Sequence, residues 1–439
     1  MLQRLPGQER AGQDPQAPAT RVVRPSAVAP FRTRSFRFQW PADLLTSWAL
    51  EMEMLILGWY VLVETGSVLL LTVFGAMQYG GTLIAPMLGV ASDRIGHRTL
   101  LAGMRAVYAA VAATLMMLAF AGALTPLLIC LLAAVTGLVR PSDMGLRGAL
   151  IAETMPVGLL TGAMGISRTT SDSARIAGAL VGAGLFAAFG VGPAYVAITC
   201  FYILGALLTL GVEPVRSAPA SLSGAAAASG NPSPWRDLRE GLVYIWNTPS
   251  LLAIMWLAFL FNLTAFSITQ GLLPYAAKDV YHVDQTGLGY LVASYAFGAL
   301  IGSIAMSRIG VAIELPRLMI MAALVWHALL LVFAQMQSLT GGVASLMLLG
   351  FAQSLSMVSH TVILLRESGP RLRGRVTGVR MLAIYSLPLG LLAAGVLIPR
   401  IGFHATVSLY ALIGLTFTAL IALYWRHALW RPRAPTEHL

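Results

Sequence analysis

Two carboxylates stand in the middle of an apolar run near the start of the chain. The run from Ser47 to Tyr60 reads SWALEMEMLILGWY, and its acidic residues are Glu51 and Glu53. A carboxyl group in an apolar environment favours its neutral form, so it can take up and release a proton as its surroundings change. On a helix the two residues point about 200° apart, at about 100° per residue. Both therefore cannot face one cavity, and we expect one of them to be hydrogen-bonded between helices.

A second group of charges predicts an internal network. Arg168, Asp172 and Arg175 have the spacing i, i+4, i+7, which places them on one face of a helix where they can neutralise one another. A charge inside a bilayer costs roughly 2.5 to 3.5 kcal/mol on insertion scales, so it is rarely without a role. The sequence leaves open whether this set is structural or contributes to a cavity.

A third charged set lies near one end of an apolar run. Arg140, Asp143 and Arg147 are spaced i, i+3, i+7, and their position favours a structural role, with Asp143 as a partner of Arg94 or Arg98. Arg140 also lies inside a predicted span, so it is grouped with Arg168, Asp172 and Arg175. The expected intramembrane charge network is Arg140, Arg168, Asp172 and Arg175.

Uncharged polar residues inside apolar runs are the candidates for contact with a solute. A histidine in a helix bundle is usually a hydrogen-bonded packing residue, although proton or substrate work stays open for His327 and His360. Amide side chains and an aromatic ring complete the set. The expected substrate cavity comprises Asn262, Phe266, Gln270, Gln353 and His360.

The composition identifies the elements that hold these residues as membrane-spanning helices. The 439 residues are 57% hydrophobic and 11% charged, whereas soluble domains carry roughly 25% charged residues. The net charge of +11 comes from arginines in short connections between apolar runs, which argues against a nucleic-acid partner. Cys130 and Cys200 lack metal or redox spacing and are interpreted as packing residues.

About twelve apolar runs are long enough to span a bilayer. The sequence therefore predicts an all-α membrane protein with twelve transmembrane helices in two six-helix bundles. The expected spans are 39–63, 68–90, 100–121, 125–147, 159–188, 193–212, 250–273, 286–307, 316–336, 340–365, 376–399 and 404–425.

The remaining segments set the domain plan. We expect a disordered basic arm at 1–37, a first bundle at 38–212, a cytoplasmic linker with an amphipathic helix at 213–248, a second bundle at 249–426 and a tail at 427–439. Arginines cluster on one side of the predicted spans, and the opposite turns hold little beyond Lys278 and Arg400. By the positive-inside bias, both termini are expected in the cytoplasm.

The connection between the second and third spans reads GVASDRIGHR from Gly89 to Arg98. The pattern G-x-x-x-D-R-x-G-[RH]-R resembles the signature loop of the major facilitator superfamily, and with the six-plus-six plan the resemblance covers residues 39 to 425. It implies two bundles that rock about a central cavity, with the loop as a latch. The expected latch residues are Gly89, Asp93, Arg94, Gly96, Arg98 and Asp143.

Three further segments are similar to the macrolide-efflux and enterobactin-exporter branch of drug–proton antiporters. They are WYVLVETGS from Trp59 to Ser67, the helix from Trp235 to Trp246, and the segment from Arg373 to Gly378. Aligned to that branch on WYVLVETGS, Glu53 falls where a polar cavity residue is expected. The resemblance thus makes Glu53 the principal proton-coupling carboxyl, with Glu51 in reserve.

The predicted function is secondary active export of amphiphilic small molecules by proton antiport across the bacterial inner membrane. No phosphate-binding P-loop motif occurs, so the proton gradient is the expected driving force, with no cofactor and no metal. The expected partners are the solute, protons and membrane lipids, and the protein is expected to be a monomer. Import by symport and lipid flipping are alternatives on the same fold. A membrane-embedded enzyme or a sensor is a distant one, because the H-E-x-x-H and G-x-S-x-G motifs are absent from the sequence.

Overall fold

The computed structural model describes residues 28–82, 87–88, 91–92, 95–214, 234–309 and 314–429. Within these ranges eleven helices are long and apolar enough to cross a membrane, and the ten-residue helix Val68–Met77 is a shorter apolar one. The predicted all-α membrane fold is confirmed.

The first half contains α1 (Arg34–Thr65), α2 (Val68–Met77), α3 (His97–Phe120), α4 (Pro126–Thr154), α5 (Val157–Phe189) and α6 (Val191–Leu210). A helix at the predicted amphipathic segment, α7 (Pro234–Trp246), follows. The second half contains α8 (Pro249–Gly271), α9 (Gln285–Ile309), α10 (Leu315–Gln335), α11 (Leu339–Glu367), α12 (Gly369–Ala383), α13 (Ser386–Ile401) and α14 (Phe403–Tyr424).

The N-terminal arm ends earlier than predicted. Disorder was expected up to residue 37, but a 3-10 turn covers Ala29–Arg32 and α1 begins at Arg34. The reason is an aromatic cluster in which the Phe31 ring lies 5.1 Å from that of Phe36 and 5.2 Å from that of Trp40. Burial of these rings orders the chain before the first span.

Several predicted features lie outside the described residues. They are the arm up to residue 27, the latch residues Gly89, Asp93 and Arg94, the linker at 215–233, and the tail from residue 430. Of the predicted latch, Gly96 and Arg98 are described at the start of α3. Gly96 has φ 87°, a left-handed conformation that glycine adopts without strain, where the chain turns into the helix.

The helices form two groups that meet along two helix pairs. In the first half α1 packs against α5 and α6, and in the second half α11 packs against α9 and α10. The halves meet where α5 packs on α9 and α2 packs on α13. Small residues make these approaches close, because a Cβ atom at Gly289 would lie 2.7 Å from that of Ala183. At the second pair, a side chain at Gly395 would collide with Thr72.

One end of the interface between the halves is closed. There the ammonium group of Lys278 donates to the carbonyl oxygen of Leu62 at 3.2 Å, joining the chain after α8 to the last turns of α1. Gly58 packs against Pro274 at the same level. We call this the closed end, and we call the opposite end, where α1 begins and α14 finishes, the terminal end.

Candidate functional site

A cavity of about 370 Å³ lies between the two halves. Its wall draws on α1, α4 and α5 from the first half and on α8, α9, α12 and α13 from the second. Met144, one of its lining residues on the terminal side, is 60% exposed. The polar and charged lining residues are Glu51, Tyr79, Arg140, Arg175, Asn262, Thr269, Gln270, Tyr295 and Arg380.

Glu51 is the carboxyl that faces this cavity. Its Oε1 lies 3.5 Å from Nε of Arg175, and the two side chains are 25% and 35% exposed. The pair joins α1 to α5 at a point where Gly178 lets the helices approach, because a Cβ atom there would lie 2.8 Å from Cβ of Glu51. The result is an ion pair between two helices with one side open to the cavity.

Glu53 does not line the cavity, which corrects its assignment as the principal cavity carboxyl. It is 4% exposed and accepts a hydrogen bond of 2.6 Å from the hydroxyl of Tyr202 on α6. The expected divergence of the two glutamates is present, and Glu51 is the one of the two that lines the cavity. The alignment to the exporter branch fixed a position along the chain and not the rotation of α1.

Two further arginines on the wall come from opposite halves. Arg140 of α4 donates to Oε1 of Gln78 at 3.1 Å, and Arg380 lies in the last turn of α12. Within the described part of the chain, neither has an acidic side chain within salt-bridge distance. Arg140 was predicted to belong to a charge network, whereas Arg380 was not predicted, although its charge inside a predicted span was a usable signal.

The backbone is irregular where the second half meets the cavity. A π-helical turn, Asn262–Phe266, interrupts α8, and both of its end residues line the cavity. The predicted span 376–399 is likewise divided between α12 and α13, with Ile384 at the junction and also on the wall. Interruptions of this kind inside helices frequently mark functional sites, since they redirect side chains that a regular helix would bury.

The structure brings three of the five predicted cavity residues to the wall. Asn262, Phe266 and Gln270 line it. His360 does not, because it is fully buried and its Nε2 lies 3.0 Å from the carbonyl oxygen of Ile254. Gln353 is half-buried and also lies outside the lining. These two assignments were wrong because the rotation of α11 could not be read from the sequence.

His327 is a packing residue. Its Nε2 lies 3.0 Å from Oγ1 of Thr264 and its Nδ1 lies 2.9 Å from the carbonyl oxygen of Ala323. The ring is fully buried, and it fills the space beside Gly414 on α14. Both of its nitrogen atoms therefore have hydrogen-bond partners within the second half.

Within the described residues, Asp143 is paired with Arg147 and not with Arg98. Its Oδ2 lies 2.5 Å from Nε of Arg147, one turn further along α4. Arg98 donates instead to the carbonyl oxygen of Leu210 on α6, and Arg94 lies outside the described residues. The spacing i, i+4 places Arg147 beside Asp143 on one face of α4, which makes it a nearer cation than a residue of the loop.

A buried ionic cluster beside this pair escaped the sequence analysis. Asp43 of α1 forms an ion pair with Arg105 of α3 and lies 3.8 Å from Nε of Arg147. Arg105 also donates to the hydroxyl of Thr209 on α6. Asp43 and Arg105 are 4% and 0% exposed. Charged residues inside two predicted spans were the signal that could have found this cluster.

The expected network on α5 is divided in two. Nε of Arg168 lies 3.3 Å from Oδ2 of Asp172, with the arginine side chain 66% exposed. Arg175 is paired with Glu51 instead. The network therefore separates into a surface pair and a cavity pair.

Comparisons with known proteins agree with this architecture. The chain matches the family model described as transmembrane secretion effector over residues 25–435. No curated protein matches it in sequence.

Solved structures of transporters resemble it in fold. The nucleoside transporter NupG has a TM-score of 0.68 at 13% identity, covering 91% of this chain and 100% of its own. The POT family transporter PepTSo has a TM-score of 0.71 at 13% identity, with coverages of 91% and 99%. A D-xylose-proton symporter has a TM-score of 0.67 at 13% identity, with coverages of 88% and 96%.

These likenesses establish the fold, and the resemblance to the macrolide-efflux and enterobactin-exporter branch stays a prediction. The family model spans nearly the whole chain, and the cavity lies between the two helical halves. The chain belongs to the transmembrane secretion effector family and is a membrane transporter of the major facilitator type.

Proposed function

We propose that the protein is a proton-coupled secondary transporter of amphiphilic small molecules in the bacterial inner membrane, working by alternating access. The description of its family favours export. The arginine-rich connections favour cytoplasmic termini, in which case the closed end faces outward and the cavity is reached from the cytoplasm. Glu51 is the coupling carboxyl in this proposal, in place of Glu53.

The observation that carries the proposal is the Glu51–Arg175 pair on the cavity wall. Its partial exposure lets protons and solute reach both members, whereas Glu53 is enclosed between α1 and α6. Neutralising Glu51 releases Arg175, so one proton changes both the charge and the hydrogen-bonding of the wall. A charge change at the solute site is what couples a proton gradient to solute movement.

The test is transport by purified protein in phosphatidylcholine–phosphatidylglycerol liposomes. A panel of dyes, macrolides and siderophores is used with and without an imposed pH gradient. We expect Glu51→Gln to lose accumulation driven by the gradient while it keeps counterflow exchange, because binding and rocking do not need the proton. Glu53→Gln is the matched control two residues away and should keep both activities. Normal accumulation by Glu51→Gln, with loss in Glu53→Gln, would return the coupling role to Glu53.

The pairing of Glu51 with Arg175 allows two modes of coupling between proton and solute, antiport and symport. A basic solute group that pairs with Glu51 excludes the proton, which gives antiport and fits export. An acidic solute group that takes Arg175 instead leaves Glu51 to bind a proton, which gives symport. Proton release or uptake on solute binding, measured with a pH indicator in weakly buffered detergent solution, separates the two modes.

A further inference from the structure

We propose that the cavity binds its solute through an anionic group, a carboxylate, sulfonate or phosphate, held between Arg140 and Arg380. The inference rests on the proposed function only in taking this cavity as the solute site. It adds the chemical class of the solute and the residues that recognise it.

The charge of the wall is unbalanced. Its described lining residues include the cations Arg140, Arg175 and Arg380 and one acidic residue, Glu51, which is paired with Arg175. Among the described residues, the side-chain hydrogen bond of Arg140 goes to the neutral amide of Gln78, and the nearby acid Glu53 lies behind the wall, bound to Tyr202. Guanidinium groups that lie in a partly enclosed cavity without an anion are costly, and a bound anion removes that cost.

The position of the two arginines gives the anion a mechanical role. Arg140 belongs to the first half and Arg380 to the second, and the halves are held together at the closed end by Lys278 and Leu62. A single anion bound to both guanidinium groups would join the halves on the terminal side of that contact. Binding would then favour closure of the terminal side, as alternating access requires.

The rest of the wall accepts an apolar body. Met54 and Leu55 of α1, together with Leu288 and Val292 of α9, line the cavity, and Phe266 lies on the interrupted part of α8. The volume of about 370 Å³ suits a small organic molecule. Since guanidinium forks bind carboxylate, sulfonate or phosphate oxygens in pairs, the solute is an amphiphile with an acidic head.

The experiment compares two fluorescent probes with the same ring system. The anion is 8-anilinonaphthalene-1-sulfonate, and the uncharged probe is N-phenyl-1-naphthylamine. Each is titrated into the purified full-length protein in a maltoside detergent, with protein-free micelles subtracted. The variants are Arg140→Gln, Arg380→Gln and Arg380→Lys, and the control is Arg400→Gln, an exposed arginine at the closed end of α13.

We expect the wild type to prefer the sulfonate. Arg140→Gln and Arg380→Gln should each weaken sulfonate binding by about tenfold, the loss of one charge-assisted contact, and leave the uncharged probe within about twofold. Arg380→Lys should recover part of the loss, and Arg400→Gln should change neither probe. Equal binding of both probes by the wild type, or unchanged sulfonate binding in both glutamine variants, would overturn the proposal.

Two further results keep this test separate from that of the proposed function. If Arg140→Gln fails to fold after losing its contact with Gln78, the Arg380 pair of variants decides alone, since Arg380 has no such contact among the described residues. A sulfonate preference without transport driven by a pH gradient would support the anion site while removing proton coupling. Proton-driven transport of uncharged solutes without a sulfonate preference would do the reverse.

Discussion

The two halves of the molecule pair the polar groups of their interior and cavity wall in different chemical forms. The first half uses ion pairs, such as Asp43 with Arg105 and Glu51 with Arg175. The second half uses neutral hydrogen bonds, such as Thr264 with His327 and the Tyr410 hydroxyl with the Gly390 carbonyl. Ion pairs respond to protons and to anions, whereas neutral bonds mainly hold helices in place. Among the described residues, the buried and cavity-facing ion pairs therefore lie in the first half.

The comparison is sharpest at the buried cluster around Asp43. Asp43→Ala would leave Arg105 and Arg147 without a shared anion in the interior. Removing one partner of a buried ion pair costs roughly 3 to 5 kcal/mol, so we expect a large loss of thermal stability or of folded protein. Fluorescence-detected size-exclusion after heating measures it. The control is Glu314→Ala, since Glu314 is 45% exposed beside Arg317; equal stability of the two variants would contradict the ranking.

A smaller effect is expected for the cavity pair. The Glu51 and Arg175 side chains are partly exposed, so their coupling should lie between those of buried and surface pairs, at about 1 to 2 kcal/mol. A double-mutant cycle of Glu51→Ala and Arg175→Ala on thermal stability measures it. Coupling as large as that at Asp43 would make the pair a structural clamp and weaken its assignment to proton coupling.

The neutral hydrogen bonds of the second half should contribute less to stability than the cavity ion pair. Thr264→Val removes the hydroxyl that contacts Nε2 of His327 and nearly preserves the side-chain shape. We expect a loss of about 1 kcal/mol in thermal stability, with transport retained. Thr114→Val, whose hydroxyl bonds only within its own helix near the surface, is the control. Loss of transport without loss of stability would show that the second half also takes part in coupling.

The smallest effect is expected at Asp172. The sequence alone predicts that Asp172→Ala is worse than the double change with Arg168→Ala, because two arginines would lose their anion. In the structure Arg168 is 66% exposed and Arg175 is paired elsewhere. The single and double variants should therefore both stay within about 0.5 kcal/mol of the wild type in thermal stability. A clear rescue by the double change would restore the predicted network.

Most of the fold could be predicted from the sequence because span length is a property of the chain alone. Apolar runs located the helices to within a few residues at most boundaries. The exceptions need tertiary information. Phe36 extends the order ahead of the predicted first span because other helices bury it, and the π turn at Asn262–Phe266 leaves no compositional mark.

The site was less predictable because it depends on the rotation of each helix. The angle of about 200° between Glu51 and Glu53 around the helix axis correctly predicted that they lie on different faces. It does not determine which of them faces the cavity. That choice follows from packing, where Gly178 and Gly182 of α5 admit Glu51 and Met52 of α1. The two glycines, four residues apart, were the one sequence signal for that contact.

The charges of the cavity arginines also lie within the electric field of the membrane potential, and they shift in that field when the cavity changes sides. Among the described lining residues, three cations against Glu51 give a formal excess of two positive charges, which the proposed anion would reduce. Each elementary charge moved across the whole membrane changes the free energy by about 2.3 kcal/mol per 100 mV. If the anion site is occupied as proposed, the empty cavity would be the more charged form, and the membrane potential would act mainly on its reorientation. The potential would act on the return stroke of the cycle, so the rate at which the empty carrier resets would depend on voltage more steeply than the rate at which the loaded carrier moves.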